Sequence, residues 1–326
     1  MANIQDVARL AKVSPMTVSR VINNSGKVKP ETRERVLKAI EQLNYVPNTL
    51  AKSLLAKGGT RILALIMPDI VNPFYTNVAR GAEDIARKNN YTLIICNHDD
   101  DEKKEQQYFL SLLSLNVDGV LIIPSGDHTK KMLDLLDEKG CPFVLVDRHT
   151  KKYTGDYVGG DSFNGAVQLI AHLIKRSHRR IAFINGPMHI STARDRFEGY
   201  KHGLAQAGIP FDPDLVYEGD SFQPEIAIAA LEKFLQLPER PTAVFAANNS
   251  IALGFIRAVR QRRMDVPRHF ALVCFDKFEI MDLITPTMTV AVQPAYNFGS
   301  IAAQLLLERL DGIKVESQRK IILQPE

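Results

Sequence analysis

VSPMTVSRVINN, residues 13–24, holds no acidic residue and one basic one. Val18, Val21 and Ile22 recur at helical spacing and predict one buried face of a short helix. Met16, Thr17, Ser19, Arg20 and Asn23 are left facing outward. Upstream, Ile4, Val7, Ala8 and Ala11 keep the i, i+3, i+4, i+7 spacing of a first helix. Val13-Ser14-Pro15 interrupts it, with Ser14 placed to cap the second helix and Pro15 in its first turn. A third helix is predicted from Pro30-Glu31, with Val36, Leu37, Ile40 and Leu43 inward. Three short helices with a tight turn between the first two describe a helix-turn-helix head. The second helix of such a unit lies in the major groove, its N-terminal side chains on base edges.

The outward row has the chemistry for that task. Arg20 can donate a bidentate pair to guanine, and Met16 can contact a thymine methyl. Thr17, Ser19 and Asn23 suit phosphates better than bases. Charge divides the same way: residues 1–60 carry ten Lys/Arg against four Asp/Glu, a net +6, while the remaining 266 residues net −2. A basic head on a near-neutral body points to a polyanion partner for the head. The head is bounded at residues 1–47. Pro47-Asn48 then starts, and Gly58-Gly59 stops, a segment of roughly ten helical residues. That is short of the about 12–15 at which an isolated helix becomes even marginally stable. Leu50, Leu54 and Leu55 in this hinge (48–60) need a partner, such as a twin copy or a base step in a minor groove.

From residue 61 to 326, apolar runs alternate with helical stretches. RILALIMP (61–68), YTLIICN (91–97), GVLIIPS (119–125) and PFVLVDR (142–148) read as strands buried on both faces, as do RRIAFING (179–186), TAVFAAN (242–248) and FALVCFD (270–276). Helices are predicted between them, for instance at 76–89 and 162–175. Repeated β-α-β order predicts an α/β fold of doubly wound parallel sheets, and this length implies two lobes. One lobe is expected at about 61–160 plus 291–320, the other at about 161–290 plus 321–326.

Ligands of such sheets sit beyond the strands' carboxyl ends, so polar residues there are the candidates. Asn72, Phe74 and Tyr75 follow the first strand; Asp147 and Arg148 close the fourth; Asn185 and Arg196 follow the next. Asn248, Asn249 and Asp276 end later strands, and Gln293 ends TVAVQ. Amides, carboxylates and guanidinium groups converging on a cleft suit a polyhydroxyl ligand, each hydroxyl both donor and acceptor. Phe74 can stack on a ring.

Enzyme motifs do not surface: GxxxxGK[ST], GxGxxG after a strand and HExxH are missing, and GGDSFNG and ANNSIALG form neither a nucleophile elbow nor a phosphate cradle. The eight histidines lack ligand spacing, so no metal and no cofactor is expected. Asp99-Asp100-Asp101-Glu102 reads as a solvated loop and helix start. Cys96, Cys141 and Cys274 sit singly in apolar runs, as buried thiols do in a reducing compartment. No apolar run approaches the roughly 20 residues of a membrane helix. MANIQDVARLAK has no signal-peptide pattern. The expected location is therefore the cytoplasm, away from membranes.

The chain resembles the LacI/GalR transcriptional regulators. The likeness is carried by IQDVARLAKVSPMTVSRVINN, VKPETRERVLKAIEQLNYVPN, LAKSL and VNPFYTNVARGAEDIARKNNYTLIICN. It continues through VDR (146–148), GDSFNGA (160–166), ARDRFEGY (193–200), CFD (274–276) and TVAVQPAYNFGSIAAQLLLERL (289–310). The resemblance implies a homodimer whose heads bind a near-palindromic operator in double-stranded DNA, acting as a repressor. Its body senses a small molecule. It places Pro15, Met16 and Arg20 at specificity positions, makes Leu54 the minor-groove leucine, and adds Ser14, Tyr45, Asn48 and Ala51 to the DNA-facing set. Asn72, Phe74, Arg148, Arg196, Asn248, Asp276 and Gln293 fall where ribose-type binding domains hold sugar. Phe74, Thr192, Arg196 and Asp276 also match purine-sensing relatives. The usual Asn-Asp pair is Asn248-Asn249 here; with Arg148 and Arg196 retained, an anionic sugar acid is admitted beside a ribose-like sugar or derivative. The ending IILQPE is shorter than the family's usual length and carries no heptad tail, so no tetramerisation helix is expected. A purine effector or a protein corepressor at the lobe surface stays open as an alternative. A sugar-transport module or an α/β enzyme is a more distant one.

Overall fold

In a computed structural model of the chain, which describes residues 2–22, 25–45, 59–151, 155–278, 288–313 and 318–326, the first unit, Met1–Thr60, opens on a capping box. The Asn3 side chain accepts from the N–H groups of Gln5 and Asp6, and the Asp6 carboxylate accepts from the Asn3 N–H. Two orphan donors of α1 (Ile4–Leu10) are thereby satisfied. Lys12, at φ 53°, turns the chain sharply, and Ser14 Oγ accepts from the Thr17 N–H at 3.2 Å to start α2 (Pro15–Ile22). Pro30, at the first position of α3 (Pro30–Gln42), has no N–H to leave unsatisfied there. Val7, Ala8, Ala11, Val18, Val21, Val36 and Ala39 form the core of this unit. Leu37 differs from expectation: it is 51% exposed, and Ala39 is buried. The buried stripe of α3 is Val36, Ala39, Ile40, Leu43, the i, i+3, i+4, i+7 set, and Leu37 lies about 100° off it. Asn23, and with it Asn48, Ala51, Leu54 and the expected hinge helix, lie outside the described residues.

The second unit, Arg61–Glu326, holds two sheets in which every pairing is parallel. One contains β1 (Ile62–Met67), β2 (Thr92–Asn97), β3 (Gly119–Ile122), β4 (Phe143–Val146), β5 (Tyr157–Gly160) and β11 (Lys320–Leu323), in the order β11-β5-β4-β3-β1-β2. The other contains β6 (Ile181–Asn185), β7 (Val216–Glu218), β8 (Ala243–Ala246), β9 (Ala271–Phe275) and β10 (Thr289–Ala291), in the order β10-β9-β8-β6-β7. Helices cover both faces. Those of the first lobe are α4 (Pro73–Lys88), α5 (Glu102–Ser114), α6 (Lys130–Glu138) and α11 (Ala295–Leu310). Those of the second are α7 (Ser162–Lys175), α8 (Ser191–Gln206), α9 (Ile226–Gln236) and α10 (Asn249–Gln261). α4 and α11 meet backbone to backbone: a Cβ on Gly299 would lie 1.8 Å from the Val78 carbonyl oxygen.

The division of the lobes needs one correction. Residues 321–326 were expected in the second lobe, yet β11 pairs with β5 in the first sheet, Ile321 opposite Val158. KIIL is a short edge strand with alternating exposure, and nothing in four such residues specifies which sheet they join. After β11 the chain turns back toward the second lobe: Pro325 lies against Gly165 of α7, and Glu326 and Val292 exchange both backbone hydrogen bonds. The three passages between lobes, near residues 161, 292 and 325, are thus tied together, because the Asp161 N–H also reaches the Leu323 carbonyl at 3.1 Å.

The first lobe's edge is fixed by charge. The side chain of Asp156, fully buried, accepts 2.8 Å bonds from Arg309 Nε and Nη2, and bonds from the backbone N–H, Nε and Nη2 of Arg319. Burial opposes its ionisation, but the two guanidinium groups outweigh it and hold the pKa at about 2. A depressed carboxylate contributes stability above its unfolded pKa of 3.8 and loses it as pH falls through the folded value. Asp156→Asn should therefore lower the melting temperature at pH 7, at the lower end of the about 3–5 kcal/mol for breaking a buried pair, since both arginines are partly exposed. The deficit should shrink as pH falls from 4 toward 2, as followed by circular dichroism melts.

Candidate functional site

At the ends of β4 and β9 the two lobes use the same local device. The Asp147 N–H still bonds the Val158 carbonyl of β5, and the Asp276 N–H the Ala291 carbonyl of β10. Each residue then turns left-handed, at φ 59° and 62°, a region that Asp tolerates better than most residues. Both carboxylates are buried in the cleft between the sheets. Burial pushes the Asp276 pKa up to about 6, against the pull of the Arg196 charge and of Gln293, whose Nε2 donates to both carboxylate oxygens. Burial raises Asp147 as well, against Arg148 and Arg196.

Two guanidinium groups enter the same space, on different terms. Arg148 is committed: it pairs with Asp100, donates to the Pro124 carbonyl, and donates to the Tyr75 hydroxyl at 3.0 Å. The phenol itself is held neutral by burial. Arg196, in the second turn of α8, donates to the Ala247 carbonyl at 2.7 Å and lies 4.1 Å from the centre of the Phe275 ring. Asp147 Oδ1, Arg148 Nε and Arg196 Nε have no partner, and neither has Gln293 Oε1 next to Asp276. These are two acceptors and two donors, buried and unmatched, of which all but the Gln293 oxygen belong to residues lining the cleft.

Helix starts complete the walls. Asn72 caps α4 by accepting from the Phe74 N–H, and Asn248 caps α10 by accepting from the Ile251 N–H. Phe74 meets Tyr75 and Phe298 edge-on, at 5.0 and 5.9 Å between centroids. The space enclosed is about 20 Å³, enough for about one water.

Of the residues expected at a ligand site, the structure brings Asn72, Phe74, Tyr75, Asp147, Arg148, Thr192, Arg196, Asn248 and Asp276 to this one cleft. Gln293 reaches it through Asp276. Asn249, also expected at a strand end, lines it too, as does Phe222, whereas Asn185 is off the lining and donates to the Ala193 carbonyl. Phe222 follows β7, whose VYE is too short and too polar to read as a strand, so the strand-end rule had nothing to act on. The acidic run at 99–102 divides in function: Asp101 caps α5, whereas Asp100 neutralises Arg148. That pairing takes up one of the two guanidinium groups on which the expectation of an anionic sugar acid rested.

In the head, Ser14, Pro15, Met16 and Arg20 are exposed, Met16 at 66%. Thr17 and Ser19 are half-buried, and Thr17 is occupied by the Ser14 cap. Tyr45 packs partly buried against the head's core. Among the described residues no three His, Cys, Asp or Glu side chains gather as a metal set, and no helix is long and apolar enough to cross a membrane.

Comparison with known proteins supplies the relationship. A family model described as bacterial regulatory proteins, lacI family, matches residues 3–48, and one described as a periplasmic binding protein-like domain matches residues 170–326. The chain is 36% identical over 316 residues to catabolite control protein A of Priestia megaterium, covering 96% of this chain and 94% of that protein. It is 33% identical over 327 residues to the HTH-type transcriptional repressor PurR of Vibrio atlanticus (strain LGP32), covering 100% and 97%. Among solved structures, a complex of the transcriptional regulator CelR with cellobiose superposes with a TM-score of 0.74 at 30% identity, covering 100% of this chain and 98% of that one.

The raised Asp276 carries a testable cost. A carboxylate whose folded pKa exceeds its unfolded value of 3.8 contributes stability at low pH that is lost as pH rises through about 6. Asp276→Asn should therefore raise the melting temperature at pH 7–8, by about 2–4 °C for each kcal/mol recovered. The gain should vanish below pH 4 in a buffer series of thermal melts.

Proposed function

Because the chain belongs to the LacI family of bacterial regulatory proteins, a family of DNA-binding transcriptional repressors and not of enzymes, we propose that its operator affinity is set by a neutral polyhydroxylated ligand, a ribose-like sugar or derivative, held between the two lobes. The observation that carries this reading is the set of unmatched buried atoms. On the lining, Arg148 Nε and Arg196 Nε lack acceptors, while Asp147 Oδ1 lacks a donor. A hydroxyl supplies both. Charge argues the same way, because Arg148 is already neutralised by Asp100 and the remaining guanidinium faces two carboxylates. A negatively charged ligand gains no free cation there. The cellobiose complex of the CelR regulator is in keeping with a sugar.

Transmission to DNA runs through residues 48–60. Ligand changes the angle of the lobes, and with it the fitness of a homodimer's paired hinge segments and heads for a near-palindromic operator in the cytoplasm. For that to switch transcription, the ligand must bind one state of the body more tightly than the other. A purine base is the second reading. It is favoured by two aromatic rings, Phe74 and Phe222, on the lining, and by the similarity to PurR.

Paired substitutions separate the two activities. Arg20→Ala should cost about 1–3 kcal/mol of discrimination between operator and random DNA, with ligand-induced thermal shifts unchanged. Arg196→Ala should abolish the thermal shift given by the active member of a panel of sugars, sugar acids, sugar phosphates and purines, with operator binding retained. An undiminished shift in Arg196→Ala would contradict the assignment, and a shift given by sugar acids alone would contradict the neutral-ligand reading.

A further inference from the structure

We propose that Asn72 and Asn249 form an uncharged clasp between the lobes, which must open before an effector can enter, so that Asn249 sets the ligand concentration at which the regulator responds. The inference rests on the cleft being the effector site. Asn72 Nδ2 donates to Asn249 Oδ1 at 2.9 Å, and Asn249 Nδ2 donates back to Asn72 Oδ1 at 3.1 Å. Asn72 also donates to Ser250 Oγ at 3.3 Å. Asn72 is 6% exposed and Asn249 not at all. Both stand on helix starts, the cap of α4 and the first residue of α10, so the pair joins two rigid elements of different lobes.

The geometry makes the clasp and a ligand mutually exclusive. A cleft of about 20 Å³ holds a water, whereas pockets for small molecules run to about 300 Å³ and more. Admitting a sugar therefore requires the lobes to part, and parting them breaks the amide pair. On the other flank the lobes are joined differently. Arg194 of α8 pairs with Asp127 at 3.1 Å, Asp127 also holds Lys151, and the His149 N–H donates to Ser191 Oγ at 3.0 Å. Those ion pairs are partly exposed and weaken in salt. The amide pair carries no charge, so it holds whatever the salt or pH.

Residue identity at 249 is what makes the exchange reciprocal. A carboxylate there has no hydrogen to return to Asn72 Oδ1, and it would be buried as a charge. A protonated carboxyl regains the missing donor. The proposal thus predicts that Asn249→Asp is destabilised at pH 8 and recovers toward wild type on acidification. The sign follows from linkage: burial raises the folded pKa of the new carboxyl, so its contribution is present at low pH and lost as pH rises.

The test uses the full chain and thermal melts of Asn72→Ala, Asn249→Ala, the double variant and Asn249→Asp. Each single alanine change should lower the melting temperature by about 2–4 °C, and the double variant should fall no further than the worse single one. Ser250→Ala, which weakens the clasp without altering the lining, should lower the D-ribose or cellobiose concentration needed for half-maximal thermal shift by about threefold or more. Additive losses in the double variant, or an Asn249→Asp deficit independent of pH, would overturn the clasp. Coupled losses with no response of wild type to any sugar would uphold the clasp and count instead against the sugar reading.

Discussion

Charge buried between two lobes is the constraint around which this molecule is organised. Withdrawing an ion from water costs several kcal/mol even after the protein relaxes, and the cleft contains two guanidinium groups and two carboxylates. Most of that cost is met from the fold: Arg148 by Asp100 and a carbonyl, Arg196 by the Ala247 carbonyl and the face of Phe275, Asp276 by Gln293. The left-handed turns at Asp147 and Asp276 aim the carboxylates, and the starts of α4, α8 and α10 bring the remaining groups. What the fold leaves unmet is a short set of buried donors and acceptors in and beside the cleft, and under the proposed function that remainder defines what a ligand has to offer.

The same constraint explains why two lobes, rather than one, hold the site. Each lobe has its own packed sheet and its own apolar core. The contacts between them include an amide pair on one flank, ion pairs on the other, and the Arg148 guanidinium over the Phe222 ring. The passages near residues 161, 292 and 325 are stitched to each other by backbone bonds, so the chain joining the lobes is held together independently of the contacts across the cleft. Cores resist continuous deformation, whereas hydrogen bonds across a cleft are either made or broken. Under the proposed function, making and breaking those bonds would supply the two discrete states a switch requires.

Much of this is legible in the residues themselves, because buried parallel strands and short amphipathic helices leave strong periodic signals. RILALIMP and FALVCFD announce strands, and the polar residues closing them mark the cleft. Where legibility fails, the reason is local. Leu37 is apolar but off the stripe of α3. KIIL is too short to say which sheet it completes. VYE hides a strand, and with it Phe222. Pairing is the least visible property of all: Asp100 sits in an acidic run that composition reads as solvated, and only the folded chain shows it beneath Arg148. Asn249 is conspicuous in sequence as an amide beside another amide, yet its partner lies 177 residues away.

If ligand in the cleft and operator at the head are thermodynamically coupled, each must change the affinity of the other by the same factor. Operator selected from random sequence would be titrated by fluorescence anisotropy with and without saturating ligand, and ligand would be titrated by calorimetry with and without operator. Coupling requires the two ratios of Kd to be equal and to differ from one by about 5–150-fold. A ratio of one in both titrations would contradict it, leaving a head that binds DNA and a cleft that binds ligand with no switch between them.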